Sequence, residues 1–300
     1  MDYVRLLIIF MIFFCHRNNH GKSVQRQRLN HCCIFPDTMT FSVVAYDPEE
    51  KKWGVGVASR FLSVGSIVPW AKAGVGCIAT QSYANYSYGP EGLKLLETGD
   101  SRKTIETLTG RDDLKDRRQV AAVDSHGKPF AFTGSGCHDF AGHILGDHFS
   151  VQGNILAGSK VLESMANAMN GEGKLEWRIL SALKAAEKAG GDKRGKQSAS
   201  ILIVSEVETF EEGSDIYMNI RIEDSVEPLE ELARIMELWT AVFLDKETVL
   251  IADHETEINK ALSAKGFSDL DSWGRANNME HNIRDGRIGK YTLKVLVSHR

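Results

Sequence analysis

Apolar and polar residues follow two different periods along most of the chain, and the period changes from one segment to the next. Alternation with a period of two, bounded by polar turns, predicts β-strands. Apolar positions three and four residues apart, between a capping residue and a glycine or proline, predict α-helices. The predicted strands cover residues 40–46, 53–59, 74–83, 149–154, 198–205 and 216–224, with a further hairpin over residues 118–134 that turns at His126-Gly127. The predicted helices begin at Pro90, at Asp100 or Ser101, near residue 160, at residue 175 and at Pro228.

The order of these segments predicts the fold class. Pairs of strands alternate with pairs of helices, and the polar turn at residues 47–52 joins the first two strands as an antiparallel hairpin. A parallel sheet would instead alternate single strands with crossover helices. The sequence therefore predicts an α+β fold, a four-layer αββα sandwich of two antiparallel sheets with helices on both outer sides.

The last part of the chain has a different pattern. From about residue 250, short helical segments are interrupted at Gly266, Gly274 and Gly286. A chain of 300 residues is long enough for one large core and a small second module. We therefore predict a main domain over residues 40–240 and a small helical module over residues 250–300.

Residues 1–39 have a composition of their own. An apolar run at residues 6–15 follows Arg5, and a basic segment comes next. The run is too short to cross a bilayer as a helix, but it suits the core of a signal peptide. No small-x-small cleavage site follows it, so a translation start at Met39 stays open beside a secretory leader, with a structured N-terminal element as a third interpretation. A leader predicts a protein of the cell envelope or a secreted one, and a start at Met39 predicts a cytoplasmic one.

The charge of the chain excludes one class of partner. A formal net charge of −4 combines +3 in residues 1–39 with −7 in residues 40–300. A body with this acidic balance lacks the positive surface that binds nucleic acid. We therefore predict no nucleic-acid partner.

Cysteine usage gives no disulfide framework. Three of the five cysteines lie in residues 1–39, and Cys77 and Cys137 lie after them. One bridge between these two is an alternative to two buried free thiols, which we favour.

The Met39-Thr40 junction directly precedes the first predicted strand. A threonine at a chain terminus carries both a nucleophile and a base, because its α-amine, with a pKa of roughly 7.7–8.0, can take the proton of its own hydroxyl. An amide nitrogen cannot do this, since its lone pair is delocalised into the carbonyl. Thr40 is therefore a candidate nucleophile if the mature chain begins there, and an ordinary strand residue if it does not.

Several segments in the same order resemble one known family. They are "MTFSVVAYDP", "VASRFLSVGSIVPWAKAGVGCIATQSYAN", "YGPEGLKLL", "RQVAAVD", "FSVQGNILAG" and "GGDKRGKQSASILIV". Together they run from Met39 to about Trp239 and are similar to the bacterial and archaeal domain of unknown function 1028 family. The resemblance implies the fold of N-terminal nucleophile (Ntn) hydrolases, with Thr40 at the nucleophile position, but no substrate, since the activity of that family is not established. The 39 residues before Thr40 depart from the pattern and would block the site unless they are removed or never made.

Further site candidates follow from chemistry and position along the predicted strands. Arg60 ends the second strand beside the first, where a cation would lower the pKa of the Thr40 amine and stabilise negative charge; a surface arginine is the alternative. Asn154 follows a strand beside a glycine and could donate its amide to an oxyanion; a turn asparagine is the alternative. The densely polar loop at residues 190–199 precedes an apolar strand, which favours a site lining over a simple helix C-cap. The candidates for substrate binding are Ser59, Thr80, Gln81, Asp192, Arg194, Gln197 and Ser198.

Residues 137–148 contain several side chains of types that ligate metals. Their spacings match no common zinc pattern, and two glycines interrupt any helix that would align them. We predict neither a metal nor a cofactor, and a metal-dependent hydrolase around residues 138–148 stays as a third hypothesis. The residues concerned are Cys137, His138, Asp139, His143, Asp147 and His148.

The tail adds a second resemblance. "INKALSAKGF" followed by "DGRIGKYTLKVLV" is similar to small helical peptidoglycan-binding modules, in which a helix ends in Gly-aromatic and an Asp-Gly-x-hydrophobic-Gly segment precedes another helix. A plain helical appendage is the alternative. The resemblance implies an envelope location and a cell-wall amide or peptide as substrate.

These observations predict an amidohydrolase that cleaves a small-molecule or peptide amide through a threonyl acyl-enzyme. Thr40 attacks, its amine moves the proton, and Asn154 with backbone N–H groups holds the oxyanion. The alternative is a catalytically inactive binding protein of the same fold, associated with the cell wall through its tail. Either function is compatible with a homo-oligomer. The state of Thr40 separates the two, because a free terminus permits the first and an intact extension requires the second.

Overall fold

The computed structural model describes residues 40–209 and 211–298. Residues 1–39, and with them every interpretation of the N-terminal segment, lie outside the described residues. Within the two described ranges, no helix is both long enough and apolar enough to cross a membrane.

Ten strands build the main part of the fold in two antiparallel sheets. They are β1 (Thr40–Asp47), β2 (Lys52–Ser59), β3 (Pro69–Lys72), β4 (Gly76–Ser82), β5 (Arg118–Asp124), β6 (Pro129–Thr133), β7 (Gly142–Gly146), β8 (Phe149–Asn154), β9 (Ser198–Ser205) and β10 (Ile216–Ile222). The larger sheet has the order β10-β9-β2-β1-β8-β7, and the smaller has the order β3-β4-β5-β6. β1 pairs with β2 on one side and with β8 on the other, where Thr40 lies opposite Asn154. The start of β1 therefore lies in the middle of the larger sheet, beside the ends of β2 and β8.

Helices cover the outer face of each sheet. They are α1 (Tyr88–Leu96), α2 (Ser101–Gly110), α3 (Ser159–Met169), α4 (Leu175–Lys188) and α5 (Pro228–Trp239). The first two pack on the smaller sheet, and α3, α4 and α5 pack on the larger one. The predicted α+β sandwich, with its four αββα layers, is confirmed.

Alternation along the strands decides which side chains face the second sheet. Val43 of β1 packs toward α3, α4 and α5, whereas Val44 packs with Val55 of β2 and with Cys77 and Ala121 of the smaller sheet. Even-numbered residues of β1 therefore point into the space between the sheets, because successive side chains of a strand alternate in direction.

α4 lies unusually close to β2. A Cβ atom at Gly56 would lie 2.3 Å from Ile179 Cγ2, and one at Gly54 would lie 2.6 Å from Ile179 Cδ1. Both glycines occupy positions of β2 that face the helix, so the "GVG" segment lets the helix and the sheet approach each other.

Two strands, β3 and β7, were not predicted from the sequence. β3 is four residues long and begins with a proline, so it carries little periodic signal. β7, "GHILG", lies within the cluster of candidate metal ligands and is bounded by glycines, which conceal its alternation. The two cysteines are free and buried, as predicted, and burial raises the pKa of both thiols.

The tail contains helices and a small sheet. Its elements are β11 (Thr248–Leu250), α6 (Glu255–Lys265), α7 (Leu270–Ala276), β12 (Ile283–Arg284), β13 (Arg287–Gly289) and α8 (Lys290–Val297). Gly266 caps α6 and Gly286 lies in the turn between β12 and β13, both with positive φ, whereas Gly274 lies inside α7. Trp273 and Met279 belong to a hydrophobic cluster made by this segment and the residues just after α5. Strands of two or three residues are too short for a period-two signal, which is why a purely helical tail was predicted; the domain boundary itself stays a prediction.

A buried lysine lies at the opposite end of the β1–β2 hairpin from Thr40. Lys52 is 1% exposed, and its Nζ lies 3.6 Å from the centre of the Tyr217 ring. The same Nζ lies 3.3 Å from Glu50 Oε2 and 3.7 Å from Glu208 Oε2. The Tyr217 hydroxyl donates to Glu176, whose pKa is raised by burial in spite of the nearby lysine. Lys52 is therefore a buried cation among several acidic groups, one of which, Glu208, also pairs with Lys246.

Candidate active site

Three strand ends of the larger sheet meet around Thr40. Thr40 is the first residue of β1, Ser59 is the last residue of β2, and Asn154 is the last residue of β8. All three are buried. Residues opposite each other in an antiparallel pair present their side chains to the same face. The candidate site therefore lies between the two sheets at this edge.

The hydroxyl and the backbone of Thr40 are held by different partners. Thr40 Oγ1 lies 3.3 Å from Ser59 Oγ, and either hydroxyl can be the donor. The carbonyl of Thr40 accepts a hydrogen bond from Gln81 Nε2 of the smaller sheet at 3.4 Å. Contacts from both sheets thus fix the residue that the sequence singled out as a nucleophile.

Gln119 of β5 sets the orientation of the side-chain amides at the site. Its Nε2 lies 2.9 Å from the carbonyl oxygen of Gly153 and 3.0 Å from that of Gly142. Carbonyl oxygens only accept hydrogen bonds, so the atom that faces them is the donor nitrogen. Gln119 Oε1 therefore accepts, from Gln81 Nε2 at 2.8 Å and from Asn154 Nδ2 at 3.1 Å.

Asn154 retains one unpaired polar atom. Because its Nδ2 donates to Gln119, its Oδ1 points elsewhere, and among the described residues this oxygen is buried with no hydrogen-bond partner. A buried carbonyl oxygen left without a donor costs roughly 1–3 kcal/mol. The atom without a partner is an acceptor, whereas the sequence position of Asn154 indicated a donor to an oxyanion.

Further neutral groups continue the hydrogen bonding from Thr40 into the sandwich. Ser42 Oγ donates to Gln81 Oε1 at 2.6 Å, and Gln152 Nε2 donates to Ser42 Oγ at 2.7 Å. Ser150 Oγ donates to Gln152 Oε1 at 2.8 Å. Amides and hydroxyls do not titrate near neutral pH, so the orientation of this network does not depend on pH.

The backbone is strained directly after Asn154. Ile155 has φ 49°, in the left-handed region that β-branched residues avoid. Its N–H donates to the carbonyl of His138 at 2.9 Å, which helps to hold this conformation. Strain of this kind costs on the order of 1–3 kcal/mol and concentrates at functional sites. The observation supports the choice of this edge as the site.

The loop between α4 and β9 is fastened to the end of β2. Asp192 accepts from the backbone N–H of Arg60 at 2.9 Å and from that of Arg194 at 2.8 Å, and the Arg194 guanidinium lies 3.3 Å from it. The exposed guanidinium of Arg60 donates to the carbonyl of Lys196 at 2.9 Å. These contacts attach Arg60 to the loop, whereas the sequence pattern indicated a cation that acts on Thr40.

A small cavity of about 140 Å³ lies beside this loop, with Ser59 as one of its walls. Phe41, Ala58, Pro228 and three glycines form much of the remaining wall. Its volume is below the roughly 300–1,000 Å³ of sites for drug-sized ligands, so it suits a single small group.

The structure brings four of the predicted residues together, namely Thr40, Ser59, Gln81 and Asn154. Thr80 does not join them. It precedes Gln81 on β4 and therefore faces the opposite side of the sheet, where its hydroxyl donates to a backbone carbonyl of the following loop at 3.4 Å.

Two further predicted residues have structural contacts of their own. The side chain of Gln197 donates to Asp224 at 3.0 Å. Ser198 Oγ accepts from the backbone N–H of Val64 at 3.1 Å and donates to the carbonyl of Phe61. Ser198 thus anchors the loop that follows β2.

The network also contains Gln119, Gln152 and Ser42, which were not among the predicted site residues. Each is a polar residue within an otherwise apolar strand, at a position that faces the second sheet. Polar residues at inward positions of two or more strands were the signal that could have indicated a buried network.

The cluster of candidate metal ligands is dispersed. His138 Nε2 lies 3.2 Å from the Tyr83 hydroxyl, and His143 Nδ1 lies 2.9 Å from Thr133 Oγ1. His148 precedes β8, at the end far from Asn154, and burial lowers the pKa of His143. In residues 40–209 and 211–298, no three histidine, cysteine or acidic side chains are grouped so that they could hold a metal ion.

Asp112 anchors the loop between β4 and α1. Its carboxylate accepts from Arg118 Nε at 2.9 Å, from Tyr88 Oη at 3.0 Å and from Asn85 Nδ2 at 3.1 Å. Burial alone would raise the pKa of Asp112, but these hydrogen bonds lower it to about 2 from the ordinary 3.8.

Asp112→Asn is expected to reduce the free energy of unfolding at pH 7 by about 1–2 kcal/mol, allowing for partial solvent screening. A lowered pKa contributes stability above the unfolded value, and this contribution is lost as pH falls through the folded value. The difference between variant and wild type should therefore shrink between about pH 4 and pH 2. Urea unfolding at several pH values measures it, with the exposed neighbour substitution Asp113→Asn as control. If the difference in the free energy of unfolding between wild type and Asp112→Asn stayed constant down to pH 2, the lowered pKa of Asp112 would be contradicted.

Comparison with known proteins agrees with the fold class, an α+β sandwich of two antiparallel sheets. The chain belongs to the family described as a family of unknown function, DUF1028, whose model matches residues 40–232. The chain is also similar to the crystal structure of protein SPO2555 from Silicibacter pomeroyi, which is described as a DUF1028 protein. The two share 30% sequence identity with a TM-score of 0.62, over 67% of this chain and 86% of the other. No protein with a curated description matches the chain.

Proposed function

We propose that the protein is an N-terminal nucleophile hydrolase that cleaves an amide bond with Thr40 as the nucleophile. The observation that carries the proposal is Thr40 at the start of the central strand β1, with its hydroxyl 3.3 Å from Ser59 Oγ. The family match that begins at residue 40 supports it. So does the αββα sandwich, which resembles that of the Ntn hydrolases.

The proposed reaction has two steps. In the first, Thr40 Oγ1 attacks the carbonyl carbon of the amide, and the α-amine takes the hydroxyl proton and passes it to the leaving nitrogen. The C–N bond breaks, which leaves an ester on Thr40 and releases an amine. In the second, water attacks this ester with the α-amine as base, the acid leaves and the hydroxyl is restored. The reaction consumes only the amide and water.

Other groups at this edge have supporting roles in the proposal. Ser59 orients the hydroxyl of Thr40. Backbone N–H groups are the proposed oxyanion donors, since the unpaired atom of Asn154 is an acceptor. The 140 Å³ cavity is lined by Phe41 and Ala58, which face the helices on the outer side of the larger sheet, so the proposal gives it no part in binding the scissile amide.

The proposal requires Thr40 to be a chain terminus, because an amide nitrogen cannot act as the base. Residues 1–39 must therefore be removed by processing or left untranslated. The N-terminal residue of the protein purified from its native host would reveal whether the reactive form exists in the cell.

Two forms of the chain that differ by a single residue test the proposal. A specific protease site inserted into the full chain yields a form that begins at Thr40 and a matched form that begins with one extra glycine. We expect the first form to gain the mass of one acyl group from a β-lactone, and the second to react at least about a thousandfold more slowly. Intact mass spectrometry over time gives both rates. Equal rates would contradict the proposal.

The alternative that we propose is a catalytically inactive binding protein that associates with peptidoglycan through its tail. A cavity of about 450 Å³ between α6 and α8 favours it, and its size lies within the range of ligand sites. The Gly266-Phe267 end of α6 and the turn at Asp285-Gly286 before α8 fit the resemblance on which it rests. If neither form reacts with the β-lactone, this alternative replaces the first proposal.

A further inference from the structure

The backbone nitrogen of Thr40 points toward β8. In the register of β1 and β8, Ala45 lies opposite Phe149, so Tyr46 lies opposite His148. The N–H of Tyr46 donates to the carbonyl of His148 at 2.8 Å. In an antiparallel pair, every second residue exchanges hydrogen bonds with the same neighbouring strand. Thr40 is six residues before Tyr46 and therefore also directs its nitrogen to β8, where its partner is Asn154.

An acceptor without a donor lies on the same side. Thr40 and Asn154 are opposite each other and present their side chains to the same face. Asn154 is 1% exposed, and its Oδ1 is buried without a partner among the described residues. A flip of the Asn154 side-chain amide would not give Oδ1 a donor, because Oδ1 would then face Gln119 Oε1, which now accepts from Asn154 Nδ2. Two backbone carbonyls in turn fix the orientation of Gln119.

The number of hydrogens on the Thr40 nitrogen changes when the chain before it is removed. As an amide, the nitrogen carries one hydrogen, which the pairing with β8 uses. As a terminal ammonium, it carries three hydrogens and a positive charge. While residues precede Thr40, Asn154 Oδ1 therefore has no donor. In a chain that begins at Thr40, the additional hydrogens of the α-ammonium group can supply one.

We propose that Asn154 is a positioning residue whose Oδ1 accepts a hydrogen bond from the α-ammonium group of Thr40 in the mature chain. The inference rests on the proposed function and deepens it, since it assigns the group that orients the base. Ser59 holds the hydroxyl of Thr40 from the β2 side, and Asn154 holds the amine from the β8 side. With both groups fixed, the lone pair of the neutral amine faces the hydroxyl proton that it must accept.

A crystal structure of the form that begins at Thr40 tests the contact directly and needs no substitution. We expect the α-nitrogen to lie within about 3.2 Å of Asn154 Oδ1, the range of a hydrogen bond. A separation beyond about 4 Å would overturn the inference. The measurement does not depend on reactivity, so it remains decisive even if the β-lactone fails to react and the proposed function falls.

The pH dependence of acylation distinguishes a positioning role of Asn154 from a merely structural one, because a merely structural role would not change it. The amine acts as a base only when it is neutral, so the rate should rise with pH around the pKa of the amine. Asn154→Asp places a carboxylate beside the ammonium and should raise the midpoint of the curve of acylation rate against pH by about one pH unit or more. Asn154→Leu removes the acceptor and should lower both the midpoint and the maximal rate. The matched substitution Asn219→Asp, at an exposed position of the edge strand β10, should leave the midpoint within about 0.2 unit, as a distant screened charge does.

The outcomes of this experiment separate the two proposals. If the form that begins at Thr40 is acylated but Asn154→Asp leaves the midpoint unchanged, the role of Asn154 is wrong and the proposed function stands. If Asn154→Asp moves the midpoint no further than Asn219→Asp does, the inference is equally overturned. If Asn154→Asp does not fold, the distance in the crystal structure decides.

Discussion

Thr40→Ala is expected to abolish acylation of the form that begins at residue 40, with a loss of rate on the order of ten thousandfold or more. Alanine keeps the α-amine and the strand, but it removes Oγ1, the atom that forms the ester. The loss is expected to be large because the nucleophile and the base act as a unit, and the amine without the hydroxyl has nothing to activate. Intact mass spectrometry with the β-lactone measures the rate.

Two further substitutions serve as controls for Thr40→Ala. Thr40→Ser keeps the hydroxyl and the amine, so its rate should stay within about tenfold of wild type. Thr107→Ala removes a hydroxyl that donates to the carbonyl of Lys103 at 2.7 Å on α2, and it should leave the rate unchanged. Undiminished acylation of Thr40→Ala would assign the ester to another residue, with Ser59 the first to examine, and would contradict the proposed function.

Lys52→Met is expected to lower the free energy of unfolding by about 3 kcal/mol, within the range found when one partner of a buried ion pair is removed. Methionine keeps the apolar stem, so the change isolates the loss of charge. The Glu50 carboxylate loses its nearby cation, Glu208 keeps only Lys246, and the Tyr217 ring loses the ammonium 3.6 Å from its centre. Urea unfolding at pH 7 measures the difference.

The adjacent residue provides the matched control for this substitution. Lys51 is exposed, so Lys51→Met should change the free energy of unfolding by less than about 0.5 kcal/mol. A loss below about 1 kcal/mol in Lys52→Met would show that solvent reaches the cluster and that the acidic groups do not depend on Lys52.

The sequence predicted the fold well where the alternation is regular. The segment "FSVQGN" has the bounds of β8 itself, and the Asp100 cap of α2 was among the expected starts. β3 and β7 were missed because a strand of four or five residues with proline or glycine at its ends gives a weak period-two signal. Pairing partners supply what the local pattern lacks, since β3 is held by β4, and β7 by β8.

Only those site residues that lie at the ends of neighbouring strands could be predicted from the sequence. Thr40, Ser59 and Asn154 end or begin neighbouring strands, so an antiparallel order suffices to bring them together. The choice between Thr80 and Gln81 was not predictable, because β4 is buried on both faces and either residue fits an apolar strand. The polar side chain of Gln119 at an inward strand position is a local signal of a buried network, but its hydrogen-bond partners depend on the distance between the two sheets, which is a property of tertiary packing.

The two sheets are joined differently at the Thr40 end and in the middle of the sandwich. In the middle, apolar side chains such as Val55 and Ala121 fill the space, whereas at Thr40 the Gln119 amide bonds directly to carbonyls of Gly142 and Gly153 on the facing sheet. Apolar cores tolerate many volume-conserving exchanges, but a hydrogen bond fixes its two atoms to within a few tenths of an ångström. A volume-conserving exchange in the apolar core should therefore leave the sheet spacing at Thr40 unchanged, because that spacing is fixed by the hydrogen bonds of Gln119.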